Sequence, residues 1–277
     1  MSSLTVWIEG IGLLGPGLSS WSSAQDVLRG AHGHVSSPTV LPPPARLPAA
    51  ERRRAGAAVK LAMAVADEAV ALAGVDPHTL ATVFSASSGE GANCHLLCET
   101  LASAAPLVSP TRFTNSVHNA AAGYWHIAVA SRASSTSLGA FDASFGAGLI
   151  EAATSVALSG RPMLLVASDT PYPEPLHTAR PLPDHFGMAL VLGASATARS
   201  IASLSLELAP GATPATPCTD AALEALRQAI PAACGLPLLQ ALAGAAPLQR
   251  LVLPYLPTLS LKLLLQRANV DVTTAAA

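Results

Sequence analysis

The residues of this sequence that could do chemistry lie between residues 134 and 171, where a strand pattern turns sharply into a helix pattern. At that turn the segment Asp142-Ala143-Ser144-Phe145-Gly146 differs by one residue from the G-x-S-x-G turn that presents a nucleophilic serine. Free backbone N–H groups and the helix dipole stabilise negative charge at such a helix start. Ser144 is therefore a candidate nucleophile of a hydrolase or an acyltransferase.

A serine nucleophile needs an imidazole base and a carboxylate that orients the base. His177 or His185 would supply the base, and Asp169 or Asp184 the carboxylate. An aspartate in place of the first glycine of the motif crowds the turn and repels an oxyanion, which weakens this interpretation. Capping of the following helix by the Ser144 hydroxyl is the simpler interpretation.

Three elements must position this turn. Residues 135–140 predict a short strand of small residues. Residues 145–159 predict a helix, because their apolar positions recur with a helical period and Gly160 and Pro162 then stop it. Residues 163–167 are a continuous apolar run, typical of a strand that is buried on both faces.

This order of strand, sharp turn, helix, short turn and strand resembles the active-site segment of the β-ketoacyl synthases, the condensing enzymes of the thiolase-like superfamily. In that family the turn has the sequence Ala-Cys-Ser-Ser-Gly or similar. Counting back without a gap from Ser159-Gly160 places the cysteine position on Ala143. Alanine has no nucleophilic group, and the neighbouring Asp142 disfavours an anion. The resemblance therefore implies the fold of a β-ketoacyl synthase without its nucleophilic cysteine.

Further segments resemble the same family in the same order. Residues 113–123 (FTNSVHNAAAG) resemble the Asn-x-x-x-Gly loop and helix start before the cysteine. Residues 186–192 (FGMALVL) resemble the strand after the active-site helix, and residues 6–15 (VWIEGIGLLG) resemble the opening strand. Together these segments span residues 4–208.

The resemblance implies an α/β fold with thiolase-like α/β/α/β/α layers, built from two copies of one α/β unit in a single domain over residues 1–277. The first copy, residues 1–194, is complete, and the second, residues 195–277, is abbreviated. Condensing members carry two histidines in the second copy that help to hold the developing oxyanion. The last histidine here is His185, so neither has a counterpart. The chain is therefore predicted not to be an enzyme.

Degenerate homologues of this kind are chain length factors, which pair with an active synthase and bound the pocket for the growing acyl chain. Abbreviated members occur in aryl polyene (xanthomonadin-type pigment) biosynthesis, and this chain resembles those most. The implied partners are a catalytic β-ketoacyl-ACP synthase, in a heterodimer, and an acyl carrier protein through the complex. A homodimer with its own binding role stays open, as does the Ser144 hydrolase.

Two sets of residues follow from the resemblance. The strand before the turn pairs antiparallel with its equivalent across the dimer in this superfamily. The predicted dimer interface is Ser135, Thr136, Ser137, Leu138, Gly139 and Ala140. The predicted acyl tunnel is Leu96, Leu97, Leu101, Phe113, Val117 and Phe145.

The composition supports a protein partner. Charged residues make up 12% of the chain, about half the usual share of roughly 25%, and hydrophobic residues make up 51%. A chain with so little charge is expected to bury a substantial protein–protein interface, unless its alanine content merely reflects base composition. The net charge of −2 gives no electrostatic case for nucleic acid or an anionic membrane.

The sequence also predicts no membrane insertion and a cytoplasmic location. No apolar run reaches the ~18 residues of a membrane helix, and the N-terminus lacks a signal-peptide pattern. The spacing of Cys94, Cys98, Cys218 and Cys234 matches neither a zinc ribbon nor a CxxC motif. We therefore expect reduced thiols, no metal and no cofactor.

The remaining strands and helices are predicted from the periodicity of apolar residues and from the residues that start and stop helices. The predicted strands are residues 4–11, 80–87, 202–208 and 248–256. The predicted helices are residues 21–29, 50–73, 93–103, 220–233 and 260–267, and a frayed tail is predicted over residues 270–277. Gly10, Gly12 and Gly15 match a dinucleotide fingerprint, but no helix pattern follows and Pro16 intervenes, so dinucleotide binding is not favoured.

Overall fold

The computed structural model describes residues 3–268 of the chain. The strands of this range are β1 (Leu4–Leu14), β2 (Ala81–Ser85), β3 (Ser135–Leu138), β4 (Met163–Asp169), β5 (Phe186–Gly193), β6 (Ala202–Pro210), β7 (Leu248–Leu256) and β8 (Leu259–Arg267). The helices of the range are α1 (Trp21–Leu28), α2 (Ala49–Arg54), α3 (Ala57–Ala73), α4 (Gly91–Ala102), α5 (Pro110–Asn115), α6 (Ala120–Ala128), α7 (Ser144–Ser159), α8 (Leu176–Ala179), α9 (Ala221–Ala229) and α10 (Leu236–Ala243). Short 3₁₀ turns cover Pro77–Thr79, Phe141–Ala143 and Pro231–Gly235.

The strands form one hydrogen-bonded sheet in the order β3-β2-β4-β5-β1-β6-β8-β7. β2 pairs in parallel with β3 and β4, and the other neighbouring strands are antiparallel. β1 connects the two parts of the sheet, because its first residues pair with β6 and its later residues with β5. Its register with β5 shifts between Ile8 and Gly10. The edges of the sheet are β3 and β7.

Helix α3 packs closely on β1 at two glycines. A Cβ atom at Gly10 would overlap the carbonyl oxygen of Ala69, and a Cβ atom at Gly12 would overlap that of Val65. Glycine inside a strand often marks such a close approach of another backbone. The Gly10-x-Gly12 pattern therefore serves the contact between strand and helix.

The two faces of β4 carry different layers. Leu164 and Val166 pack in one apolar cluster with α3, whereas Leu165 packs in a second cluster with Leu149 of α7. That second cluster also contains Leu253 of β7. Helix α7 is therefore enclosed between the five strands β1–β5 on one side and β6–β8 on the other.

The far side of β6–β8 has a different character. Leu206 and Leu263 point inward and are buried, whereas Glu207, Arg250 and Lys262 are exposed. Within residues 3–268, no helix layer covers this outer face. The layers that the structure describes are thus helix, sheet, helix and sheet.

One predicted element is wrong. Residues 260–267 were expected to be a helix, but they lie in strand β8, which pairs with β6 and β7. Leu261, Leu263 and Leu265 alternate and are all buried, which is the period of a strand with one face in the core. The run of leucines hides this alternation when the sequence alone is considered.

The helix predicted over residues 50–73 is divided in two. α2 ends at Arg54, and α3 begins after Gly56, which has an extended conformation. A Cβ atom at Gly56 would overlap the carboxylate of Glu90, and that carboxylate accepts the backbone N–H of Ala58 at 2.9 Å. The buried carboxylate therefore caps α3 and forces the break.

Most other elements are confirmed within one to four residues. Gly160 ends α7 with a φ of +67°, as predicted. Ser20 caps α1 by accepting the N–H of Ser23. The helix predicted over residues 220–233 ends at Ala229, because Pro231 starts a 3₁₀ turn. Helix α10 was not predicted. The predicted frayed tail lies outside the described residues.

Candidate functional site

The turn that was predicted to carry chemistry joins the edge strand β3 to α7. Gly139 and Ala140 link β3 to the 3₁₀ turn Phe141–Ala143, and α7 begins at Ser144. The N–H of Ala143 donates to the carbonyl of Ala140 at 2.9 Å. The Ala143 side chain is a buried methyl group, 8% exposed. The residue directly before the first residue of α7 is therefore not a nucleophile.

Ser144 is bound into the turn itself. Its hydroxyl donates to the carbonyl oxygen of Phe141 at 2.7 Å and accepts the N–H of Ala140 at 2.9 Å. The residue is 1% exposed. It is the first residue of α7 and not the cap, so the expectation that it caps this helix is wrong. The hydroxyl instead holds together the tight turn before the helix.

The two carboxylates proposed for a serine triad have other partners. Asp184 accepts the N–H groups of His185 and Thr39, and Asp169 accepts backbone and hydroxyl groups elsewhere. Burial lowers the pKa of His185. Among the described residues, neither His177 nor His185 bonds to the Ser144 hydroxyl, so the geometry gives the hydrolase alternative no support.

An arginine that sequence analysis did not single out completes the turn. The guanidinium carbon of Arg180, just after α8, lies 3.4 Å from the centroid of the Phe141 ring. Its Nη2 donates to Oδ1 of Asp142 at 2.6 Å. Arg180 lies 38 residues after Asp142 along the chain, so no local pattern could have connected them. Phe141 itself has a φ of +53°, which is uncommon for a large side chain.

Behind the turn, one buried carboxylate joins several elements. Asp169 at the end of β4 is 2% exposed. Its Oδ1 accepts the N–H and the hydroxyl of Ser87 at 2.7 and 2.6 Å, and its Oδ2 accepts the N–H of Ala232 at 2.8 Å. Burial raises the pKa of Asp169, while these hydrogen bonds and the charge of Arg180 lower it. This residue has a structural role, because both of its oxygens are occupied.

The strand predicted to form a dimer interface lies at an edge of the sheet. β3 pairs with β2 on one side only, and no strand of residues 3–268 lies on its other side. Ser135, Thr136 and Gly139 are exposed, whereas Ser137, Leu138 and Ala140 are partly buried. An open edge strand of this kind can accept a strand from another chain.

The backbone bonds to β2 fix which groups of β3 are free. The N–H of Thr82 donates to the carbonyl of Ser134, and that of Ala86 donates to the carbonyl of Leu138. In a parallel pair, alternate residues of a strand bond the same neighbour. The N–H and C=O groups of Ser135 and Ser137 therefore point away from β2, toward the open edge.

A groove of about 460 Å³ runs between this edge and α6. Its lining includes His118, Gly123, His126 and Ser135. The Nε2 atom of His126 lies 3.1 Å from the Thr82 hydroxyl, which donates to the Ser135 hydroxyl at 2.8 Å. The groove thus offers a polar wall beside the free backbone groups.

The six predicted tunnel residues fall into two groups. Leu96, Leu101, Phe113 and Val117 expose 39%, 61%, 66% and 46% of their surfaces on or next to α4 and α5. Leu97 and Phe145 are 9% and 1% exposed. Phe145 is enclosed in this chain's own core near Met188 and Gly235. The exposed group is therefore the one available to a pocket shared with another chain.

The described residues also bear on metals and membranes. Among residues 3–268 no group of three His, Cys, Asp or Glu side chains is placed to hold a metal ion. Cys94 and Cys98, which share α4, are free thiols, and burial raises the pKa of Cys94. No helix in the same range is long and apolar enough to span a bilayer.

The chain thus has a layered α/β fold in which an edge strand leads through a tight turn into a helix with sheet on both sides. A family model described as the N-terminal domain of β-ketoacyl synthases matches residues 19–245, well over half of the chain. The chain therefore belongs to the β-ketoacyl synthase family. The resemblance drawn from the sequence is confirmed.

Solved structures agree with this assignment. A ketosynthase (ApeO) in complex with its chain length factor (ApeC) from Xenorhabdus doucetiae matches with a TM-score of 0.69 and 22% identity, covering 95% of this chain and 100% of that chain. The ishigamide ketosynthase/chain length factor matches with a TM-score of 0.73 and 16% identity, covering 95% and 99%. A β-ketoacyl synthase from Burkholderia phymatum STM815 matches with a TM-score of 0.69 and 14% identity, covering 95% and 99%. Curated protein sequences give no significant match.

These similarities establish the fold. The predicted thiolase-like α/β class is confirmed. Of the five predicted layers the described residues form four, since the outer face of β6–β8 carries no helices within them.

Proposed function

We propose that this chain is a non-catalytic, chain-length-factor-like subunit. It forms a heterodimer with an active β-ketoacyl-ACP synthase and shapes the acyl tunnel of that synthase in aryl polyene biosynthesis. The observation that carries the proposal is that the open edge strand β3 lies directly before the turn Phe141–Ala143, here called the nucleophile turn. At the nucleophile position of this turn the chain has only Ala143.

The first support is the chemistry that the turn lacks. A condensing enzyme needs a nucleophile at the helix start to hold the acyl group and histidines to assist decarboxylation. Ala143 supplies a methyl group there, and Ser144 uses its hydroxyl within the turn. No histidine follows His185 in the sequence, so β6, β7 and β8 carry none. A partner must then provide the catalytic groups.

The second support is the surface next to the turn. β3 leaves the backbone groups of Ser135 and Ser137 without a partner in the described chain, and those groups suit an antiparallel strand of another subunit. Two of the similar structures are ketosynthases with their chain length factors. The proposed interface includes the whole segment 135–140.

The third support is the set of exposed apolar residues on and around α4 and α5. Leu101 and Phe113 each expose more than half of their surface, which is costly for a chain that remains alone in water. In the heterodimer these side chains form the far wall of the tunnel that receives the acyl chain. The acyl carrier protein reaches this tunnel through the synthase subunit.

The domain division and the location are part of the same proposal. Residues 1–194 form the complete thiolase-like half, and residues 195–277 form the abbreviated half of one domain. The free cysteines suit the reducing cytoplasm.

Co-expression with the β-ketoacyl-ACP synthase of the same organism tests the proposal. Size-exclusion chromatography with light scattering measures the complex, and mass spectrometry measures its acyl products. We expect a one-to-one heterodimer whose condensing activity survives Ser144→Ala but is lost when the cysteine of the partner is replaced. A lone monomer that reacts with a fluorophosphonate at Ser144 would instead establish the hydrolase alternative.

A further inference from the structure

An exposed aromatic side chain stands at the end of the open edge strand. Phe141 lies three residues beyond Leu138, the last residue of β3, and 62% of its surface is exposed. Its φ of +53° lies in the left-handed region, which costs free energy for any residue with a large side chain. Phe141 therefore combines an exposed apolar ring with an unfavourable backbone conformation.

Several contacts hold this ring in place before any partner arrives. The guanidinium of Arg180 lies against the ring at 3.4 Å from its centroid, and the same guanidinium is fixed by Asp142 at 2.6 Å. The Arg180 side chain is only 18% exposed, so its own position is set by the fold. The Ser144 hydroxyl fixes the Phe141 carbonyl at 2.7 Å. One face of the ring is thus supported, and the other is free.

We propose that Phe141, supported by Arg180, is an anchor that inserts into the synthase subunit. This inference rests on the proposed heterodimer, because the ring continues the edge that β3 offers to the partner. Aromatic and arginine side chains are enriched at protein–protein interfaces, and a side chain ordered in advance loses little entropy on binding. Phe141 and Arg180 have both properties.

The surroundings of the ring specify the partner surface. The ring requires an apolar socket next to the end of the partner's own edge strand. Asp142 is 71% exposed, so a hydrogen-bond donor at the rim of the socket can reach its carboxylate. The occupant of this site is therefore a folded protein surface with an apolar socket and a cationic or amide rim.

The affinity of the purified chain for its synthase tests the anchor. We expect Phe141→Ala to raise the Kd about thirty-fold or more, as for other dominant interface residues. Phe141→Leu keeps apolar bulk and is expected to lose less. Leu158→Ala is the matched control, because Leu158 is 84% exposed on the opposite end of α7. Thermal unfolding of each free variant verifies that it is folded.

A second variant removes the Arg180 guanidinium that contacts the ring and keeps Phe141 itself. Arg180→Met retains an aliphatic chain but no cation, and we expect it to raise the Kd about two- to thirty-fold through the lost cation–π contact. If both Phe141→Ala and Arg180→Met bind like Leu158→Ala, the anchor is refuted while the heterodimer stands. If the unaltered chain does not bind the synthase, the proposed function fails, and the anchor fails with it.

Discussion

Asp169 and Ala232, which are 63 residues apart in sequence, meet through a hydrogen bond of 2.8 Å from the Ala232 N–H to the Asp169 carboxylate. The bond joins the end of β4 to the 3₁₀ turn that precedes α10. The other oxygen of Asp169 accepts two groups of Ser87, just after β2. One carboxylate therefore connects the strands behind the nucleophile turn to the last third of the described chain.

The first prediction concerns this connection. Asp169→Asn keeps one oxygen for Ser87 but turns an NH₂ group toward the N–H of Ala232, which leaves a buried donor without an acceptor. We expect the free energy of unfolding to fall by about 1–3 kcal/mol. Urea unfolding measures it, with the exposed Asp26→Asn as control. Equal stability of the two variants would show that the connection contributes nothing.

The second prediction is a pH dependence at His185. Burial lowers the pKa of this residue below its usual 6.5, so the unfolded chain binds a proton at a higher pH than the folded chain does. Between the lowered pKa and about 6.5, the stability contributed by neutral His185 is therefore lost as the pH falls. His185→Gln is expected to flatten this part of the stability–pH curve. An unchanged slope in urea unfolding at several pH values would contradict the assignment.

The third prediction tests the open edge of β3. Ser137→Pro removes the N–H that faces away from β2 and leaves the bonds of Thr136 and Leu138 to β2 in place. We expect loss of the heterodimer in size-exclusion chromatography with light scattering. Ser137→Ala keeps the N–H and serves as the control. A complex that forms equally well with proline at this position would exclude strand pairing through β3.

The sequence predicted some parts of the fold better than others. It predicted the core strands and α7, because the spacing of their apolar residues and the glycines that end them are local features. Strand β8 was not predicted, because its run of leucines is compatible with a helix or a strand. Its pairing with β6 and β7 makes it a strand. Ala143 could be located by counting from Gly160. Arg180 could not be located, because only the fold brings it to Phe141.

The fourth prediction concerns the exposed apolar group near α5. Phe113→Ala removes a ring that is 66% exposed. If the ring closes the shared tunnel, the products lengthen, because the acyl chain gains room, while heterodimer affinity changes little. Mass spectrometry of carrier-bound products measures this. Leu107→Ala, at a residue that is 85% exposed, is the control, and identical product lengths for both variants would remove Phe113 from the tunnel.

The last prediction concerns Ala143 and tests the proposal that this subunit is not catalytic. Ala143→Cys puts a thiol at the helix start, where the N–H groups favour a thiolate. The position is 8% exposed, and the chain has no histidine beyond His185 to assist decarboxylation. We therefore expect no condensing activity from this variant when it is paired with a synthase whose own cysteine is replaced. Acyl transfer from carrier protein to the variant, followed by intact-protein mass spectrometry, measures loading separately from condensation. A variant that both loads and condenses would contradict this expectation, because it would show that condensation does not require histidines in the second half.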